Sequence, residues 1–133
     1  MRKALTAGLL TLALVALTAT IPSALAARGS VTVVAVDGAN VGSSLVTVTW
    51  TATDIGGGIH KVHVTVQKFG SSFAVIGEKT DEYPSHGWAK TATLSTEVSI
   101  PGGLQPGLYQ FTVEVYGAGP KPRATAVSDT MSL

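Results

Sequence analysis

The chain has no cysteine. That excludes a disulfide framework, a paired-cysteine metal site and a lipid anchor attached to cysteine. Charged residues make up only 13% and the formal net charge is +1, which gives no electrostatic case for nucleic acid or an acidic membrane. No window of residues 27–133 shows convincing apolar spacing at i, i+3, i+4 and i+7, so amphipathic helices are not expected there. The catalytic signatures are missing too: there is no G-x-S-x-G elbow and no H-x-x-x-H pair. The 133 residues allow one domain and are too few for a TIM barrel or a Rossmann enzyme. Asn40 is the only asparagine, and the chain is rich in Ala, Gly, Val and Thr; this bias points to a bacterial source with a GC-rich genome.

What is present divides at the N-terminus. Mean hydropathy is +0.36, and the excess is concentrated in the first residues. Arg2 and Lys3 precede an uncharged run over 4–20, Pro22 and Ser23 break it, and Ala24-Leu25-Ala26 offers a small-x-small cleavage site. That is the layout of a secretory signal peptide over residues 1–26. The rival reading, a membrane anchor, has a stretch at the short end for crossing ~30 Å of hydrocarbon. No sorting motif or second hydrophobic run follows, so the product is expected outside the cell with no membrane span after cleavage. Removing the leader leaves seven basic residues against eight acidic ones, a net charge of −1.

Residues 27–133 hold 15 Val and 13 Thr but five Leu, and Cβ-branched residues suit a pleated sheet. Period-two alternation recurs. Strands are expected over 30–36, 44–53, 59–69, 73–78 (weaker), 91–100, 107–116 and 123–133, with turn residues between them. In the second, Val46, Val48, Trp50 and Ala52 share one face and Thr47, Thr49 and Thr51 the other. Ile59 is out of phase with Val62, Val64 and Val66, which predicts a bulge or bend near Lys61. Residues 79–90 read as a polar loop. About seven strands at this spacing predict an all-β, antiparallel two-sheet sandwich in one domain over 27–133, with Trp50 at its centre.

Three stretches resemble fibronectin type III and related bacterial immunoglobulin-like domains. Val46-Thr47-Val48-Thr49-Trp50-Thr51-Ala52 is similar to the family's tryptophan-bearing B strand. Gly57-Gly58-Ile59 leading into Val62-His63-Val64 resembles a C strand after its B–C loop. Leu104-Gln105-Pro106-Gly107-Leu108-Tyr109-Gln110-Phe111 looks like the family's E–F corner, L-x-P-G-x-Y. The resemblance covers residues 44–133 and implies fold rather than activity. It implies a structural role for Tyr109, whose hydroxyl would return to an upstream main-chain group. Residues 30–36 and 79–90 match nothing in the family pattern. In an immunoglobulin-like fold the B–C and F–G loops share one end. Residues 54–58 and 117–123 are therefore expected to form a recognition edge.

The candidate chemistry is sparse. His60 and His63 are three apart, which on a strand sends them to opposite faces and disfavours a shared metal. Asp81 and Glu82 are adjacent in a polar stretch, the ordinary form of a solvated turn. Gly56-Gly57-Gly58 lacks the following helix that a phosphate cradle needs, and reads as a flexible loop. Tyr83, His86 and Trp88 lie together in the polar segment. Trp88 either stacks on a sugar or partner, or folds down over the open end of the sandwich. Lys121 and Arg123 project from a proline-stiffened loop. Candidate ligand-binding residues are thus Asp54, Tyr83, His86, Trp88, Lys121 and Arg123; Trp50, Tyr109 and Phe111 are read as structural. No catalytic residue, metal ligand or cofactor is expected.

The expected function is that of a secreted, non-catalytic module binding a protein or glycan through its loops. Two other readings stay open. One is a small protease inhibitor on an immunoglobulin-like scaffold, although the N-P-T-T-G loop of the chagasin-type inhibitors is missing. The other is a surface subunit that self-assembles through an edge strand.

Overall fold

The computed structural model describes residues 29–83 and 89–133. The expected leader over 1–26, His86 and Trp88 lie outside the described residues. Eight strands follow one another among those described: β1 (Ser30–Asp37), β2 (Leu45–Thr53), β3 (Lys61–Phe69), β4 (Phe73–Glu82), β5 (Ala92–Ser99), β6 (Leu108–Tyr116), β7 (Pro122–Val127) and β8 (Met131–Ser132). One sheet has the order β1-β2-β5 and the other β4-β3-β6-β7, with β8 also on β6. Every pairing is antiparallel. The fold is an all-β sandwich.

Alternation produces its core. Val46, Val48, Trp50 and Ala52 of β2 are buried, as are Val62, Val64 and Val66 of β3 and Tyr109, Phe111, Val113 and Val115 of β6. Each set occupies one face of its strand, and the two sheets bury these faces against each other. The Trp50 indole Nε1 donates to the hydroxyl of Thr96, a buried polar residue, at 3.1 Å. The Tyr109 hydroxyl donates to the Gln105 carbonyl and accepts from the Gln105 amide at 3.0 Å. Four residues of chain are thereby closed into a corner at the entry to β6.

The structure corrects three expectations. Residues 79–82, read as loop, belong to β4, which pairs with β3 as far as Lys61↔Glu82. β4 is an edge strand held by main-chain bonds on one side, so it needs no alternation to stay extended. The out-of-phase Ile59 precedes β3 instead of bulging within it, and the irregularity in that pairing lies between Val66 and Gln67. The expected last strand is split at Ser128. Its Oγ accepts from the Phe111 amide at 2.9 Å and donates to the Asp129 carbonyl at 3.0 Å, taking a place a ladder carbonyl would fill.

The registers fix which loops meet. Ala52 faces Ala92, Lys61 faces both Glu82 and Tyr116, and Tyr116 faces Pro122. The β2–β3, β4–β5 and β6–β7 connections therefore emerge at one end, called here the loop pole. The β3–β4 hairpin and the Tyr109 corner occupy the other end.

Candidate functional site

Main-chain hydrogen bonds tie the loop pole together. The Ile55 amide donates to the Lys90 carbonyl at 2.9 Å and the Ile59 amide to Ala89 at 2.7 Å. The Tyr83 amide donates to the His60 carbonyl and the His60 amide to Tyr116, both at 2.8 Å. Both described flanks of the 84–88 segment are thus fastened to the β2–β3 loop. Ile55 and Ile59 are buried and root that loop in the core, while Gly57 and Gly58 between them have φ of 82° and 88°. Side chains rarely adopt that region, which accounts for glycine there.

The β6–β7 loop closes onto the β2–β3 loop at Gly117. A methyl group on Gly117 would lie 3.0 Å from the Gly56 carbonyl oxygen and 3.3 Å from Arg123 Nε. One on Gly56 would lie 3.7 Å from Arg123 Nη1. The arginine side chain therefore runs across a floor of two glycines. Its aim comes from the backbone. Val115 pairs with Ala124 but Tyr116 pairs with Pro122, so Arg123 is the extra residue of a β-bulge. Bulges turn a side chain off the regular face of a sheet. A shallow depression of about 390 Å³ is lined by Gly119, Pro120, Lys121, Pro122 and Arg123. It has one wall and stays open to solvent.

Of the sequence candidates, the structure brings Asp54, Tyr83, Lys121 and Arg123 to this pole. Asp54 is exposed, has φ of 53°, and donates its amide to Thr91 Oγ1 at 3.1 Å. Aspartate is among the residues that best tolerate that conformation. Tyr83 is partly buried against the core, and burial, with the charge of Asp81 second, pushes its hydroxyl up to about 12. It stays a protonated donor across the physiological range. Lys61, not singled out in the sequence, lies with Nζ 4.7 Å above the centre of the Tyr116 ring. Among the described residues the ion pairs are His63–Glu78, His63–Glu114 and Lys79–Asp81; none includes Lys121 or Arg123.

His63 has a more specific setting than its place in the sequence suggests. It sits on the outer face of β3, with Nε2 2.8 Å from Glu78 Oε1 of β4 and Nδ1 3.1 Å from Glu114 Oε1 of β6. Both contacts are hydrogen bonds only when both ring nitrogens carry protons. Burial lowers the His63 pKa, but the hydrogen bonds and charges of Glu114 and Glu78 together outweigh it, and the net shift is upward. A raised folded-state pKa contributes stability that is complete below the unfolded value of about 6.5 and is lost as pH rises through the folded value. The melting temperature of His63→Gln should therefore fall further below that of the native chain at about pH 6 than at about pH 9. An equal gap at both would show that the imidazolium does not clamp the three strands.

No helix among the described residues is long and apolar enough to cross a membrane. Among those residues, no three His, Asp or Glu side chains are grouped to hold a metal ion. No protein-family model matches the chain, and no curated protein matches it.

Proposed function

We propose that the chain is a secreted, non-catalytic module of the fibronectin type III and bacterial immunoglobulin-like kind, which binds a protein or glycan at the loop pole. The observation that carries this reading is the convergence of three loops at one end of the sandwich, with Lys121 and Arg123 presented there and, among the described residues, in no ion pair. Binding residues are commonly placed on loops that a scaffold positions. Two opposed antiparallel sheets, of three and five strands, together with the Tyr109 hydroxyl bonded to Gln105, support the likeness to that kind of domain. The non-catalytic part is supported by the histidines. His63 is engaged by two carboxylates, and His60 Nδ1 lies 3.3 Å from the Gly58 carbonyl, so neither described histidine is paired with a hydroxyl nucleophile.

The test is retention of molecules from the host's secreted and cell-wall fractions on the immobilised chain. A partner held by the native chain and by Val75→Ser, but lost from the double variant Lys121→Ala/Arg123→Ala, is expected. A partner held equally by the pole variant, or nothing held by the native chain, would remove the pole as a binding surface. If the retained molecule is a protease that the chain slows, the reading shifts to the inhibitor.

A further inference from the structure

We infer that Arg123 is an anion-binding residue, and that the ligand taken at the loop pole is a carboxylate-bearing polysaccharide. The inference rests on the loop pole being the binding surface and specifies what binds there. Three observations lead to it. The β-bulge at Arg123 directs that one side chain over the junction of two loops. Glycine at 117 leaves the space that the Arg123 stem crosses; a Cβ there would crowd both that stem and the Gly56 carbonyl, whereas one at 56 would meet the guanidinium at an ordinary 3.7 Å. Among the described residues no carboxylate lies within ion-pair distance of Arg123 or Lys121. A planar guanidinium held against a flat floor, with its donors unclaimed by an acid, is suited to two parallel hydrogen bonds from a carboxylate.

The nature of the pole favours a glycan over an acidic protein. Protein interfaces draw most of their energy from large apolar or aromatic side chains in buried pockets. Among the described residues, the large apolar side chains left exposed, Phe69, Val75 and Leu108 among them, all lie away from this pole. What the described residues of the pole offer is an open, one-walled depression with cations at its lip. Lys61, over Tyr116, adds positive charge at the same end, where the exposed Asp54 and Glu82 supply negative charge. An acidic polysaccharide needs no apolar anchor and presents repeated carboxylates to such a surface.

Immobilised polygalacturonate is the probe, with neutral dextran and poly-L-glutamate as comparisons. The full chain should be retained on polygalacturonate at low salt, released as salt rises, and pass dextran freely. Arg123→Gln should weaken retention about tenfold or more, as expected for loss of hydrogen bonds to a charged group. Arg123→Lys should recover only part, because a point charge cannot reproduce the fork. Lys68→Gln, at the far end, should bind as the native chain does, which separates site loss from a change in net charge. Retention of Arg123→Gln equal to the native chain, or no retention of the native chain, overturns the inference. Equal retention on poly-L-glutamate also overturns it, in favour of an acidic protein. If polygalacturonate fails while the pole variant still loses a partner from the host fractions, the binding surface stands and its anionic ligand does not.

Discussion

Trp50→Ala is expected to lower stability by about 3–5 kcal/mol, the range for deleting a large aromatic side chain from a core. That is a large fraction of the roughly 5–15 kcal/mol that separates a small domain from its unfolded state. Trp50 is fully buried, so its removal opens a cavity between the sheets. It also strands the buried Thr96 hydroxyl, whose partner is the indole N–H. The two costs can be separated. Trp50→Phe keeps most of the volume but leaves Thr96 unpaired, for about 1–3 kcal/mol from that source. Adding Thr96→Val should return part of it. Urea unfolding reads the result as a fall in midpoint at unchanged slope. A midpoint for Trp50→Ala within error of the native value would mean that the indole is not the centre of the core.

Gly77→Val is the second large effect, and it acts by excess instead of loss. Gly77 lies inside the edge strand β4, where that strand passes close to β5 of the other sheet. A Cβ there would lie 2.8 Å from both the Ser99 carbonyl oxygen and Ile100 Cδ1, and 3.3 Å from Val98 Cγ1. The isoleucine methyl can swing aside, but the main-chain oxygen moves only if β5 does. Overpacking of this kind costs about 1–3 kcal/mol. The backbone at Gly77 is not in the left-handed region, so the cost is one of contact alone. Gly119→Ala is the control, because nothing lies within 4 Å of its added methyl. Equal thermal stability of the two variants would show that β4 can ride away from β5 without cost.

The legible parts of this molecule are those that a two-residue period encodes. The inward sets of β2, β3 and β6 follow from valine and aromatic spacing, and the corner before Tyr109 from its proline and glycine. The illegible parts depend on which strand lies beside which. Residues 79–82 carry Lys, Thr, Asp and Glu, and only pairing with β3 makes them strand. Glu78 and Glu114 lie far from His63 in sequence, and only the lateral order β4-β3-β6 puts a carboxylate on each ring nitrogen. The approach of the 54–58 and 117–123 segments could be expected from a sandwich. The bulge that singles out Arg123 could not, because it is a mismatch of counts between β6 and β7 and neither strand shows it alone.

The fastening of the loop pole bears on how much its sequence can change. Its loops are joined through amides and carbonyls of Ile55, Ile59, His60, Tyr83, Ala89, Lys90 and Tyr116, groups that every residue except proline carries in full. The side chains that fix the frame are the buried Ile55 and Ile59 below and the absent one of Gly117 where the loops touch. Positions 118–121 carry none of these constraints. They can be exchanged, or new recognition sequences grafted into them, while the framework beneath keeps its geometry.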